Sequence, residues 1–154
     1  MKMLRILPLF VLVTLAFVSC KKDDVTPQPT KTEMLAGGNW KLTSLTVSPA
    51  YVVNGISISD VFATYPACLK DDFQTFAADG TYTYDEGATK CDPTAIQTET
   101  GTWKFNSNET TVSLTLPTYT DVWEISKLST SSMTSIFKLT EGGVLYTFTG
   151  ILQK

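Results

Sequence analysis

Few side chains in this sequence can do covalent chemistry, and their settings differ. Three are cysteines, Cys20, Cys68 and Cys91. Cys20 closes an apolar run, stands after the small Ser19, and is followed at once by "KKDD", Lys21 to Asp24. Cys68 and Cys91 lie far downstream with no C-x-x-C spacing. Carboxylates pair up at Asp71 with Asp72 and at Asp85 with Glu86. Such pairs can serve a glycosidase as acid and nucleophile or hold Ca²⁺ through oxygen. Neither a Ca²⁺-loop spacing nor a supporting motif accompanies them, and at strand ends they are expected to face water. Histidine is absent. That excludes Ser-His-Asp and Cys-His nucleophiles, histidine acid catalysis and the usual catalytic zinc shell. No Gly-rich phosphate loop or dinucleotide fingerprint occurs. Enzymes built on carboxylates, Lys or Tyr alone stay open as a third reading. The expectation is a protein without catalytic residues, metal site or cofactor.

The elements around Cys20 give it a different purpose. Lys2 and Arg5 form a short basic head, and Ile6 to Val18 is apolar apart from Pro8 and Thr14. This run falls short of the roughly 20 helical residues that span a bilayer, and the three-part pattern is that of a secretory signal over residues 1–19. A buried helix is the alternative, opposed by Pro8 and by the abrupt charge change at Lys21. Beyond it, "VTPQPTKT" is polar and Pro-containing, so residues 20–33 are expected to be a flexible tether and residues 34–154 the folded domain. The mature part keeps all 15 acidic residues against 10 of the 12 basic ones, and loses Arg5, the sole arginine. No basic patch remains to meet nucleic-acid phosphates.

Ser19-Cys20 after the apolar run resembles the lipobox of bacterial lipoproteins, with Phe17 and Val18 departing from its usual residues. The resemblance implies acylation of Cys20 and anchoring in a membrane, each buried CH₂ contributing roughly 0.8 kcal/mol. Lys21 at the second position differs from the inner-membrane retention signal. Lysine followed by acids resembles a surface-export tag of some Gram-negative lipoproteins. A plain solvated tether is the alternative. The implied location is the outer membrane, lipid-anchored and exposed at the cell surface. In an oxidising compartment an even pair of cysteines usually bonds, so Cys68 and Cys91 are expected to form a disulfide.

From Met34 on, Thr, Val, Tyr, Phe and Trp alternate with closely spaced turn residues, the mark of an all-β chain. Eight strands are predicted: 40–48, 72–77, 81–85, 98–105, 111–116, 121–128, 133–139 and 144–152. In the first, the apolar parity shifts between Leu42 and Leu45, which predicts a bulge near Thr43 and Ser44. Short connections make neighbours antiparallel, and eight such strands close into an up-and-down barrel with room for one small ligand. A two-sheet sandwich fits the same pattern.

"GNWKL", Gly38 to Leu42, resembles the Gly-x-Trp that opens the first strand of lipocalins. "CLKDDFQTFAADGTYTYDEGATKC" followed by "GTWKF" resembles small bacterial lipocalin-like lipoproteins. The late arginine that lipocalins stack on the first-strand Trp is missing, with only Lys154 near the end. The long connection from Pro49 to Lys70 carries Ile56, Ile58, Val61, Phe62 and Tyr65, with a short helix expected at Val61–Tyr65 capped by Ser59 or Asp60. Loops of this length are often lids, and the resemblance implies a lid over the barrel mouth. A ligand is then expected to meet Phe62 and Tyr65 from the lid. From the inner face it would meet Trp103, Trp123, Phe137, Tyr146 and Phe148. The same aromatics suit a filled core equally well. Two functions follow. One is an anchored carrier or sensor of a small apolar molecule. The other is an interaction module for an envelope protein, with a packed interior. A cavity of a few hundred Å³ distinguishes them.

Overall fold

Residues of high strand propensity dominate the chain after Trp40, and nearly all of them enter one antiparallel sheet. The structure, a computed structural model, describes residues 27–154. The apolar run, Cys20 and Lys21 to Asp24 lie outside the described residues. Nine strands form: β1 (Lys41–Val53), β2 (Ile56–Asp60), β3 (Phe73–Phe76), β4 (Thr81–Asp85), β5 (Thr98–Phe105), β6 (Thr111–Thr115), β7 (Thr120–Leu128), β8 (Ser132–Glu141) and β9 (Val144–Gln153). Their order across the sheet is β2-β1-β9-β8-β7-β6-β5-β4-β3. Sequential neighbours from β3 to β9 pair as an up-and-down meander, and β9 returns to β1.

Two features differ from expectation. The ninth strand, β2, lies in the segment expected to be lid. β1 runs on to Val53, and Asn54 and Gly55, both at positive φ (51° and 82°), turn it into β2. Asn-Gly between β-formers is a strong hairpin signal, because both central residues of such a turn need left-handed backbone. The ladder also does not close into a barrel. The sheet curls until its far edge meets the approach to β1 at one bridge, where Trp40 N donates to Gln74 O (2.8 Å) and Gln74 N to Trp40 O (2.9 Å). The expected bulge is present, the β1–β9 register shifting between Leu42 and Ser44.

One end of the curled sheet is plugged. Thr30 caps α1 (Lys31–Leu35) in a capping box with Glu33, so the helix begins inside the stretch expected as tether. Leu35 and Trp40 are fully buried beneath it, and Trp40 Nε1 donates to Leu35 O (2.8 Å). Lys154 Nζ sits 4.7 Å from the Trp40 ring centre and donates to Met34 O and Ala36 O. The cation over the first tryptophan is therefore a lysine contributed by the last residue. Phe76, Tyr82, Trp103, Val112, Met133 and Leu152 complete the core against this plug.

Gly101 is set by its neighbour strand. A Cβ there would lie 2.2 Å from Thr115 O, so the close approach is to the β6 backbone.

Candidate ligand-binding site

Because the core gathers at the α1 end, the opposite half of the interior is left for other uses. Cross-strand pairs fix which side chains share the inner face there: Ser135 opposite Gly150, Phe137 opposite Phe148, and Leu139 opposite Tyr146. Asp121 faces Leu114, Trp123 faces Val112, and Gln74 faces Tyr84. Facing residues share one side of a pleated sheet.

Over this half lies the segment after β2. A 3₁₀ turn (Phe62–Thr64) is held by Asp60 Oδ1 accepting from Ala63 N (3.0 Å), close to the helix and cap expected from the sequence. Pro66 then opens α2 (Ala67–Lys70). The Cys68–Cys91 disulfide ties α2 to the β4–β5 loop, with Cα atoms 5.2 Å apart. Asp71 braces the same loop, accepting from Ala88 N (3.0 Å) and Thr89 N (2.8 Å).

Two adjoining cavities lie beneath this cover. One, of about 180 Å³, is bounded by Leu45, Asp121, Trp123, Ser135 and Phe137 among others. The second, of about 220 Å³, is bounded by Leu69, Asp72 and Tyr84. Leu42, Tyr65 and Gln74 line both. A third hollow of about 300 Å³ opens at the mouth, between Tyr51, Ile58, Val61, Leu139 and Phe148. A larger depression, about 660 Å³ around Gly38, Lys41 and Lys154, is an open groove at the plugged end, away from the interior.

The aromatics expected to meet a ligand separate into three groups. Tyr65, Trp123 and Phe137 line the inner cavities. Phe148 lines the mouth and stacks on Phe137, rings parallel at 4.5 Å, while Tyr146 packs 5.0 Å from Tyr51 beside it. Phe62 packs against Tyr65, rings 6.0 Å apart, with Lys70 Nζ 5.2 Å from its ring centre, and lines neither inner cavity. Trp103 lies elsewhere. It is buried in the core, donates to Ala77 O (2.8 Å), and packs edge-on against Phe76 and Phe105.

Asp72 and Glu86, expected to face water, each bury one carboxylate oxygen instead. Asp72 Oδ2 accepts from the Tyr84 hydroxyl. Its Oδ1 is shielded from solvent with no hydrogen-bond partner among the described residues. Burial pushes the Asp72 carboxyl above the ordinary carboxylate value, against the Tyr84 bond, and the Asp71 and Asp85 charges add to the rise. Burial likewise raises the Tyr65, Tyr82 and Tyr84 phenols. Tyr82 donates to Gln74 Oε1 (2.9 Å), and Trp123 Nε1 donates to Asp121 Oδ2 (2.7 Å). Asp72 and Gln74 share the parity of Phe76, and Asp121 shares that of Trp123. Alternation was thus the available signal.

Asp71 and Asp85 do remain in polar surroundings, and hydrogen bonds hold both carboxyls low. Thr89 is the main partner of Asp71, and Thr98 and Gln97 are those of Asp85. Among the described residues no cluster of Asp, Glu, Cys or His has the geometry to hold a metal.

A family model described as "Domain of unknown function (DUF5004)" matches residues 18–142. No curated protein matches. Among solved structures, a complex of bovine odorant binding protein with a selenium-containing odorant is similar at TM-score 0.42 and 13% identity. That match covers 83% of this chain and 74% of the other. A deswapped triple mutant of bovine odorant binding protein is similar at TM-score 0.42 and 12% identity, covering 79% and 74%. Superpositions this loose transfer no ligand and no residue role.

Proposed function

The chain belongs to the DUF5004 family, and we propose that it binds a small, largely apolar molecule inside its curled sheet. The observation that carries this is the pair of adjoining cavities beneath the 61–70 cover, walled by Leu42, Leu45, Tyr65, Leu69, Trp123 and Phe137. An apolar concavity with a few inward polar groups is the usual form of a small-molecule site. In this reading the sheet works as a lipocalin-like barrel, its edges drawn together at Trp40 and Gln74, and the disulfide-tied cover acts as its lid. We place the protein on the outer membrane, at the cell surface, through a lipid on Cys20.

The test is native mass spectrometry of protein purified from its own host without detergent, followed by organic extraction and rebinding. A bound small molecule whose rebinding weakens about tenfold in Tyr65→Ala, as expected on losing one large buried contact, supports the carrier. A ligand-free chain that takes up no apolar dye overturns it.

A second reading, an interaction module for an envelope protein, is favoured by one observation. Val52, Val53 and Ile56 at the β1–β2 tip and Leu139, Val144 and Leu145 at the β8–β9 tip are exposed. Exposed apolar groups gathered in this way often mark contact surfaces. Cross-linking on whole cells that captures one envelope protein, and is lost in Val52→Ser with Ile56→Ser, would support it.

A further inference from the structure

We infer that the inner cavity holds its ligand by an uncharged hydrogen-bond acceptor, the oxygen of a ketone, ester or amide, seated on the Ser135 hydroxyl beside Gly150. This rests on the ligand-binding reading above.

Ser135, Gly150 and Leu45 form one row across β8, β9 and β1, and all three bound the cavity of about 180 Å³. Ser135 is only 6% exposed. Its hydroxyl has no hydrogen-bond partner among the described residues and is not sealed by its neighbours, so it opens onto that cavity. A hydroxyl taken this far from water is normally paired.

Gly150 leaves the room for a partner. It lies inside β9 and is not at positive φ, so the backbone does not require a glycine there. The atoms nearest to a Cβ would be Ser135 Oγ at 3.1 Å and the Leu42 and Leu45 Cδ1 methyls at 3.5 and 3.8 Å. Gly101 differs, since there a backbone carbonyl stands in the way. Glycine within a strand weakens it and often marks a close approach by a ligand. The space that Gly150 frees lies beside the unpaired hydroxyl.

The neighbouring groups choose the chemistry. Gln74, on the same cavity, gives Oε1 to the Tyr82 hydroxyl and leaves its Nε2 without a partner among the described residues. Asp121 has both oxygens engaged, Oδ1 by Val122 N (2.8 Å) and Oδ2 by Trp123 Nε1 (2.7 Å). Ser135 and Gln74 can both donate, and a ligand acceptor satisfies them. No basic residue lines the cavity, and the Asp121 charge opposes an anion in a poorly solvated space. The acceptor is therefore uncharged. Leu42, Leu45, Trp123 and Phe137 would hold the apolar body.

The test uses three probes of one shape, 4-phenylbutan-2-one, the alkene 2-methyl-4-phenylbut-1-ene, and 3-phenylpropanoate. Each is measured by equilibrium dialysis against the purified full chain and its Ser135→Ala and Gly150→Ala variants, so uptake into the anchor is common to all. Ketone and alkene are each compared with themselves across the variants, because the alkene leaves water more readily whatever the site offers. Ser135→Ala should weaken the ketone about fivefold, the step given by one neutral hydrogen bond. It should leave the alkene within about twofold, since that probe uses the apolar wall alone. Gly150→Ala, whose methyl takes the space beside the hydroxyl, should weaken both. The carboxylate should bind the wild type more weakly than the ketone. Should Ser135→Ala fail to melt cooperatively, Ser135→Cys, close in shape and a weak donor, carries the same comparison. A ketone that loses no more than the alkene, or fails to bind where the alkene binds, refutes the hydrogen bond and leaves the ligand site intact. Gly150→Ala that binds both like the wild type, or a carboxylate that binds as tightly as the ketone, also overturns the inference alone. Binding of none of the three overturns the ligand site and this inference with it.

Discussion

Replacing Cys68 and Cys91 together by Ala isolates what the disulfide does, because the loop it closes is held in the folded state by other means. Asp71 accepts from Ala88 N, Thr89 N and the Thr89 hydroxyl. Gln97 Nε2 donates to Asp85 Oδ1 (2.8 Å) and Gly87 O (3.0 Å). Gly87 lies so close to Asp71 that a Cβ would stand 2.5 Å from its carbonyl oxygen. With these ties kept, the native loop has little reason to move, and the loss falls on the unfolded chain. The bond closes a separation of 23 residues. For that length, chain entropy gives about 11 cal/mol/K, or roughly 3.4 kcal/mol at room temperature. For a domain of about 120 residues the unfolding entropy is near 0.25 kcal/mol/K, so the expected fall in Tm is about 14 °C. Urea and thermal melts of wild type and the double variant read this directly, with near-UV circular dichroism checking that the folded state is unchanged. Hydrogen exchange should quicken in the core strands by the factor that the lost stability gives, because their amides exchange through global unfolding. A loss under about 1 kcal/mol would refute the entropic account, and collapse of the near-UV spectrum would refute the claim that the remaining bonds hold the loop.

Gly101→Ala should destabilise the domain by about 1–3 kcal/mol in urea melts, the usual range for overpacking, because its Cβ would press on Thr115 O at 2.2 Å. Gly55→Asn should change stability far less, since nothing lies within 4 Å of a Cβ there and Asn tolerates positive φ. The Asp72 carboxyl sits above its unfolded value of 3.8, so across the interval up to its folded value the native chain keeps a proton that the unfolded chain has released. Stability from this residue falls as pH rises through that interval. Asp72→Asn should therefore raise Tm at neutral pH and leave it unchanged well below that value. Asp71 has the opposite sign, its carboxyl lowered by Thr89, so its contribution is present above 3.8 and lost as pH falls. Asp71→Asn should lower Tm at neutral pH only. Labelled fatty acid should appear on the wild-type chain and vanish in Cys20→Ser, and a retained label would end the lipid-anchor proposal.

Much of the sheet was legible because strands are written locally. Period-2 alternation and turn residues placed β4 and β5 at their observed limits and the other meander strands within a residue or two. A change of apolar parity between Leu42 and Leu45 located the bulge, since a bulge is itself a local shift of parity. The short turn at Phe62–Thr64, and the Asp60 carboxylate that accepts from Ala63 N beside it, were equally local. β2 was legible too, in the Asn54-Gly55 pair. Ile56 and Ile58 read as the apolar content of a lid, although Ile56 is exposed on β2. The Cys68–Cys91 pair followed from number and compartment, and the fold brings the two cysteines together.

What alternation cannot carry is depth along the axis of the curled sheet. Trp103 and Trp123 both point inward on strands of the same pattern, yet one is core and the other lines a cavity. The difference lies in what packs on each: Phe76 and Phe105 lie edge-on against Trp103, whereas Trp123 shares a cavity wall with Tyr65 and Phe137, all brought there from other strands and from the cover. Asp71 and Asp72 are adjacent and chemically alike, but the first braces a loop and the second enters the interior, because β3 begins at Phe73 and continues its pleat back through Asp72. Where the sheet meets itself, at Trp40 and Gln74, depends on the twist accumulated over the eight strands from β1 round to β3. Which face a residue shows is a local property. Whether that face meets a plug, a lid or an empty space is decided only when distant segments pack.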